Sequence, residues 1–290
     1  VDMNVDSMIS RKLPIGIQSF EKLRTEGYLY VDKTELVYRL VKAGVPYFLS
    51  RPRRFGKSLL LSTLEAYFLG KKELFEGLAI GELEQDWFTY PVLHLDLNAE
   101  KYDSKERLVN QLESQLQSWE STYGVTEINR SYSIRFMTVI RRAYEQTGRR
   151  VVVLIDEYDK PMLRSFDNPE LQYDFRETLT AFYSVLKSAD AYLQFVFITG
   201  VTKFAQMGIF SNLNQLQDIS LHPAYTTLCG MTRAEIEAVF APELQSLACA
   251  NGLTYEETME KFTRLSLQLS QLGGDVQSFQ CAEYALDGSF

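Results

Sequence analysis

The chain has 290 residues, 46% of them hydrophobic, and a formal net charge of −8. That is apolar material for one large domain, or one plus a small lid, and a net negative charge excludes a surface built throughout for nucleic acid. Three cysteines (Cys229, Cys249, Cys281) without paired spacing argue against a disulfide framework or zinc site, and two histidines (His94, His222) leave little material for a His-based metal centre or triad.

In chain order, residues 1–12 read as a polar lead-in that lacks the basic-then-apolar pattern of a signal peptide. A start at Val1 suggests that the chain is cut from a longer one. A short helix is expected over 19–24, and a strand-like run over 28–31. Asp32 is then placed to cap a helix over 33–42, whose Leu36, Val37, Leu40 and Val41 follow the helical period. The apolar run 46–50 reads as a first strand, and Leu59 to Phe68 as a helix. Between them lies Ser50-Arg-Pro-Arg-Arg-Phe-Gly-Lys-Ser58.

This strand–loop–helix context is the one a phosphate-binding P-loop requires. Gly56 lets backbone approach a phosphate. Lys57 supplies a point charge to β- and γ-phosphates, and Ser58 a hydroxyl to Mg²⁺. Exposed N–H groups at the helix start, through Leu59, complete an anion site. Arg53 and Arg54 add permanent cations beside Phe55; either neutralises further phosphate charge or pairs with surface acids. Arg51 stands where the first glycine of the usual pattern belongs, and a structural role is expected for it. The contrary reading of the whole loop is a degenerate scaffold that no longer binds nucleotide.

Residues 70–90 form a mixed connector rich in aromatics, followed by an alternating strand over 91–97 and helices over 104–120 and 133–147. Val151-Val-Val-Leu-Ile-Asp-Glu157 then reads as a strand buried on both faces. Its terminal Asp156 suits a Walker B role toward Mg²⁺, and Glu157 is the carboxylate to polarise a water for attack. An acid after the Walker B aspartate is the pattern of the P-loop class that includes AAA-type ATPases. In that class another strand lies between the P-loop and Walker B strands, and the next strand in sequence carries a polar sensor. Leu193–Gly200 supplies one, with Thr199 at its end and Lys203 beyond it. Ordinary β-propensity is the alternative account of Thr199.

A long helix is expected over 169–188, with Leu171, Phe175, Leu179, Phe182 and Leu186 on one face, and a last strand over 218–221. Two helices, 232–250 and 254–271, make a small lid-like region, with Thr232 and Glu235 as a capping box. Alternating strands and helices imply an α/β, three-layer P-loop NTPase fold: a mostly parallel sheet with helices on both faces, plus the small C-terminal helical region. The expected organisation is a core over 10–225, the lid-like region over 226–272 and an atypical tail over 273–290. No run reaches the ~20 apolar residues that span a bilayer, so a cytoplasmic location is expected.

The runs 51–58, 152–161 (Val-Val-Leu-Ile-Asp-Glu-Tyr-Asp-Lys-Pro) and 197–204 (Phe-Ile-Thr-Gly-Val-Thr-Lys-Phe) resemble a bacterial family of predicted AAA-ATPase-like proteins. So do Leu13–Phe20, Tyr30–Thr34 and Asp218–Leu221. The resemblance covers roughly residues 10–260. It implies a P-loop ATPase that uses ATP and Mg²⁺, often fused to a C-terminal PD-(D/E)XK nuclease-like domain. It implies phosphate and Mg²⁺ roles for Lys57 and Ser58, Walker B for Asp156 and Glu157, and a sensor-like segment at Thr199 and Lys203. Residues 262–290 lack the Tyr-Asp-Gly-Tyr motif that usually leads toward the nuclease-like region, so that domain is expected to be absent. Within the chain, Asp103-Ser-Lys105 has the local nuclease spacing but sits in a polar connector, and Asp159-Lys160 is better suited to ordering the loop after Walker B.

Three functions follow. The first is an ATPase acting as switch or motor on a nucleic-acid or protein partner, in a homo-oligomer or alone. The second is a nucleotide-binding regulatory module with little turnover. The third is a scaffold that keeps only the fold. Arg164, Arg233 and Lys203 are candidates for sensing the γ-phosphate.

Overall fold

The computed structural model describes residues 11–126, 130–203, 208–210, 213 and 215–261. Two compact units emerge: one gathers the described residues of Val1–Thr34, Pro52–Thr63 and Thr227–Phe290, the other Glu35–Arg51 and Leu64–Thr226.

The larger unit is built on five strands: β1 (Tyr47–Ser50), β2 (Val92–Asp96), β3 (Val151–Asp156), β4 (Leu193–Gly200) and β5 (Gln217–Asp218). Their order across the sheet is β2-β3-β4-β1-β5, and every pairing is parallel. β4 thus lies between β1 and β3, as the Asp-Glu pattern predicts. All six residues of β3 are buried, because parallel strands joined by helical crossovers are covered on both faces.

One face of the sheet carries Phe48, Leu93, Leu95, Val153, Ile155, Val196 and Ile198. They pack with the apolar stripes of α5 (Lys105–Tyr123), α6 (Tyr132–Thr147) and α8 (Pro169–Tyr183). On the other face, Tyr47 lies near Phe195 and Phe197, and Phe68 of helix α3 (Lys57–Phe68) tilts onto Phe195 at 5.1 Å. The α/β architecture with helices over both faces is therefore the one the alternating pattern implies.

Details differ where a single residue intervenes. The helix expected over 169–188 breaks at Ser184, whose hydroxyl bonds back to the Ala181 carbonyl at 2.7 Å; Val185–Ser188 follows as a separate turn. The last strand is Gln217–Asp218 rather than 218–221, and the run 28–31 forms only an isolated bridge between Lys12 and Tyr28.

The buried centre of α5 and α6 is ionic. Arg135, 2% exposed, donates two hydrogen bonds of 2.7 Å to Glu120, also 2% exposed, and bonds of 2.6 and 3.0 Å to Glu113. Trp119, Phe136 and Phe182 stack beside it.

In the smaller unit, Leu13, Leu29 and Val31 pack on Ile236, Phe240, Leu244 and Met259. The helix Arg233–Ala250 (α10, after the short helices α1 at Phe20–Thr25, α2 at Thr34–Ala43, α4 at Ala79–Leu83, α7 at Lys160–Arg164 and α9 at Val185–Ser188) opens with the expected capping box. Thr232 accepts from the Glu235 amide, and Glu235 accepts from the Thr232 amide at 2.7 Å. Glu235 also pairs with Lys33. The helix kinks at Phe240 (φ −110°, ψ 15°), where Pro242 removes a backbone donor. A second helix runs from 255 to 261; its expected continuation to 271 and the tail over 273–290 lie outside the described residues.

Candidate functional site

Pro52–Ser58 of the P-loop segment belong to the smaller unit, and Ser50 and Arg51 to the larger. The chain leaves β1 and reaches α3 at Lys57 with two residues at positive φ, Arg54 (62°) and Gly56 (83°). Nothing lies within 4 Å of where a Gly56 Cβ would stand, so conformation rather than space requires glycine there. Arg51 does not need positive φ. The glycine that the usual pattern places at this position is thus unnecessary, which agrees with the structural role expected for Arg51. Its amide donates to the Gly200 carbonyl at 3.1 Å, and its guanidinium donates to the carbonyls of Ser50 (3.0 Å), Ser220 and Tyr225 (3.4 Å).

Lys57 is 3% exposed, and its ammonium donates to the Pro52 carbonyl at 3.1 Å. A buried ammonium held across the loop is a charge kept at short range from whatever the loop encloses. Ser58 and Leu59 are half-buried on the first turn of α3, a turn with no acidic side chain to compete for its N–H groups. Arg53 and Arg54 are exposed. Phe55 is engaged: its carbonyl accepts from the Gly230 amide at 3.1 Å, and its ring lies 3.5 Å from the place of a Gly230 Cβ. Sequence reading does not find that contact, because Gly230 carries no motif of its own.

Asp156, Glu157 and Thr199 lie in the larger unit. Asp156 ends β3 and Thr199 is the penultimate residue of β4; both are buried, and the Thr199 hydroxyl donates to the Asp156 carboxylate at 2.5 Å. The hydroxyl of Thr199 is spent on a specific acid, which β-propensity alone does not require. Asp96 at the end of β2 stands beside Asp156 in register, so two carboxylates meet at the C-terminal edge of the sheet, where parallel α/β sheets bind ligands. His94, two residues earlier, holds Glu65 through Nδ1 at 2.9 Å. Burial works to lower its pKa, but Glu65, then Asp156 and Asp96, raise it to a net upward shift.

Glu157 takes φ 52°, turning the chain sharply as it leaves β3. Lys160, two residues past Tyr158, donates to the backbone and side-chain oxygens of Asn98, the latter at 2.7 Å. The loop-ordering role expected for Asp159 and Lys160 is met by these contacts and by those Asp159 makes, below. Lys203 and Arg164 are exposed; Arg233 is paired with Glu237 and Glu256.

Gly200 is closely surrounded: a Cβ there would stand 2.4 Å from the Tyr158 ring and 2.8 Å from an Asp159 oxygen. Gly200→Ala is therefore expected to destabilise the protein by ~1–3 kcal/mol through overpacking, read as a fall in Tm of several degrees. A Tm unchanged within a degree would show that Tyr158 can move aside.

A sequence profile of the family described as predicted AAA-ATPase matches residues 14–210. The chain belongs to this family. The AAA-ATPase-like chain is 43% identical over 242 residues to an uncharacterised protein from the vnfD 5′ region of Azotobacter chroococcum mcd 1, a match covering 83% of this chain. It spans about half, 47%, of that relative's length. A weak likeness, with TM-score 0.42 and 11% identity, covers 98% of this chain and 71% of the Aeropyrum pernix ORC2 protein, solved as ADPNP and ADP complexes. Family membership supports a P-loop nucleotide-binding domain in this AAA-ATPase-like chain. Among its described residues no helix is long and apolar enough to cross a membrane.

Proposed function

We propose that the chain binds Mg²⁺–ATP and hydrolyses ATP to ADP and phosphate, acting as a switch or motor for a partner. The observation that carries this reading is the buried Thr199 hydroxyl donated to the Asp156 carboxylate at the ends of adjacent strands, with β4 inserted between β1 and β3.

In this reading Lys57 acts on the β- and γ-phosphates, and the amides of residues 56–59 cradle them with Arg53 and Arg54 in support. Ser58 and Asp156 offer the hard oxygen donors that suit Mg²⁺, which keeps several waters and needs few protein ligands. Glu157 polarises the attacking water, and Thr199, with Lys203 beyond it, senses the phosphate end. Residues 10–225 serve as the nucleotide-binding core and residues 226–272 as a lid-like region, in a cytoplasmic protein. The partners implied are a nucleic acid or a protein, other copies of the chain, and a nuclease-like domain.

Calorimetry with Mg²⁺–ATP and Mg²⁺–GTP tests this directly. Wild type is expected to bind ATP, and Lys57→Ala to bind at least ~10-fold more weakly, since a buried charge-assisted contact is worth ~1.5–3 kcal/mol. Equal affinity in the two proteins would remove Lys57 from the site; preference for GTP would revise the base. Binding without turnover would favour the regulatory module.

A further inference from the structure

Tyr158 and Asp159 follow Glu157 and carry contacts that the proposed chemistry does not use. The Tyr158 amide donates to the Thr199 carbonyl at 3.0 Å, and its hydroxyl to the Thr202 carbonyl at 3.3 Å. Asp159 is fully buried. One carboxylate takes the Val201 amide (3.0 Å), the Thr202 amide (2.6 Å) and the Thr202 hydroxyl. A buried carboxylate is costly unless it is saturated with donors, and here three converge on it. Gly200 has no Cβ, which lets the Tyr158 ring and Asp159 close on the turn after β4.

Glu157 sits at the pivot of this arrangement. A glutamate at φ 52° is in the left-handed region, which disfavours a residue with a Cβ and persists only where the surroundings over-determine it. The Glu157 carbonyl accepts from the Lys160 amide at 3.0 Å, and the next two residues add bonds of their own. The bonds of Tyr158 and Asp159 tie the chain immediately after Glu157 to residues 199–202, while Asp156 immediately before it is held in β3 beside Asp96 and by Thr199. Both flanks of Glu157 are therefore held by hydrogen bonds.

We propose that Asp159 is a positioning residue: its clamp on Val201 and Thr202 holds Glu157 in the left-handed conformation and so aims the Glu157 carboxylate. Asn at position 159 would keep the shape but lose the charge, and its amide would face two backbone N–H groups. The catalytic consequence rests on the hydrolysis reading given above; the conformational consequence does not.

Two measurements separate these. In steady-state kinetics, Asp159→Asn is expected to lower kcat with ATP at least ~10-fold while KM and the calorimetric Kd stay within about twofold, because in the proposed roles affinity belongs to Lys57 and the loop amides and turnover to Glu157. In thermal unfolding, Glu157→Gly in the otherwise wild-type chain is expected to raise Tm by ~2–4 °C by relieving the left-handed residue, and to give no rise when Asp159→Asn is also present. A kcat unchanged by Asp159→Asn, or a loss of affinity that matches the loss of rate, would overturn the positioning role in an active enzyme. The same Tm gain in both backgrounds would overturn the clamp whatever the activity. If wild type turns over no ATP, the hydrolysis reading falls and the Tm cycle alone decides for or against the clamp.

Discussion

A Glu157→Gln variant is expected to bind Mg²⁺–ATP as wild type does and to hydrolyse it at least ~10²-fold more slowly. The substitution keeps the volume and the hydrogen-bonding reach of the side chain and removes only the basic oxygen. Glu157 lies one residue past Asp156 at the end of β3, at the C-terminal edge of the parallel sheet. In the proposed roles affinity belongs to Lys57 and the loop amides and turnover to Glu157, so the two assays should come apart. Phosphate release under saturating ATP, with calorimetry beside it, reads both. Turnover within a factor of two of wild type would mean that another group activates the water. A parallel loss of affinity would place Glu157 among the binding groups.

The largest loss of stability is expected from Glu120→Ala. Arg135 and Glu120 are each 2% exposed, and Glu120 is the first cause of the upward shift in the Arg135 pKa, Glu113 the second. Removing Glu120 leaves a permanent charge in the core with Glu113, whose side chain is 33% exposed, as its remaining carboxylate among the described residues. Breaking a buried pair on one side costs ~3–5 kcal/mol, which corresponds to a Tm lower by roughly 10 °C in a domain of this size. The double replacement Glu120→Leu with Arg135→Met removes both charges at similar volume and is expected to recover most of that loss, or to exceed wild type. If the single and double variants melt together, the loss comes from packing rather than from an unpaired charge.

Much of the candidate site was legible because its residues stand in short, contiguous runs. Gly56-Lys57-Ser58 and Asp156-Glu157 need only their neighbours to be recognised, and the apolar stretches on either side declare strand or helix through period and length. The capping box of Thr232 and Glu235 is likewise local, a four-residue exchange of hydrogen bonds that tertiary structure leaves alone. Single residues interrupt what the apolar period joins: Pro242 accompanies a kink in one helix, and Ser184 splits another.

Contacts between distant segments carry no such signature. Nothing in Arg-Pro-Arg-Arg announces that Arg51 will bond the carbonyls of Ser220 and Tyr225, or that Gly230 will meet Phe55. Val-Thr at 201–202 gives no hint that its amides end on Asp159. By itself the sequence determined the order of strands and helices, the buried character of β3, and which residues have the chemistry to meet a phosphate or a divalent cation. That the inserted strand is β4 itself, that Thr199 meets Asp156 and that Asp159 clamps the turn after β4 came from the tertiary structure. Period and composition act within a few residues along the chain, whereas register and side-chain pairing are set by which surfaces pack, and that depends on the whole fold.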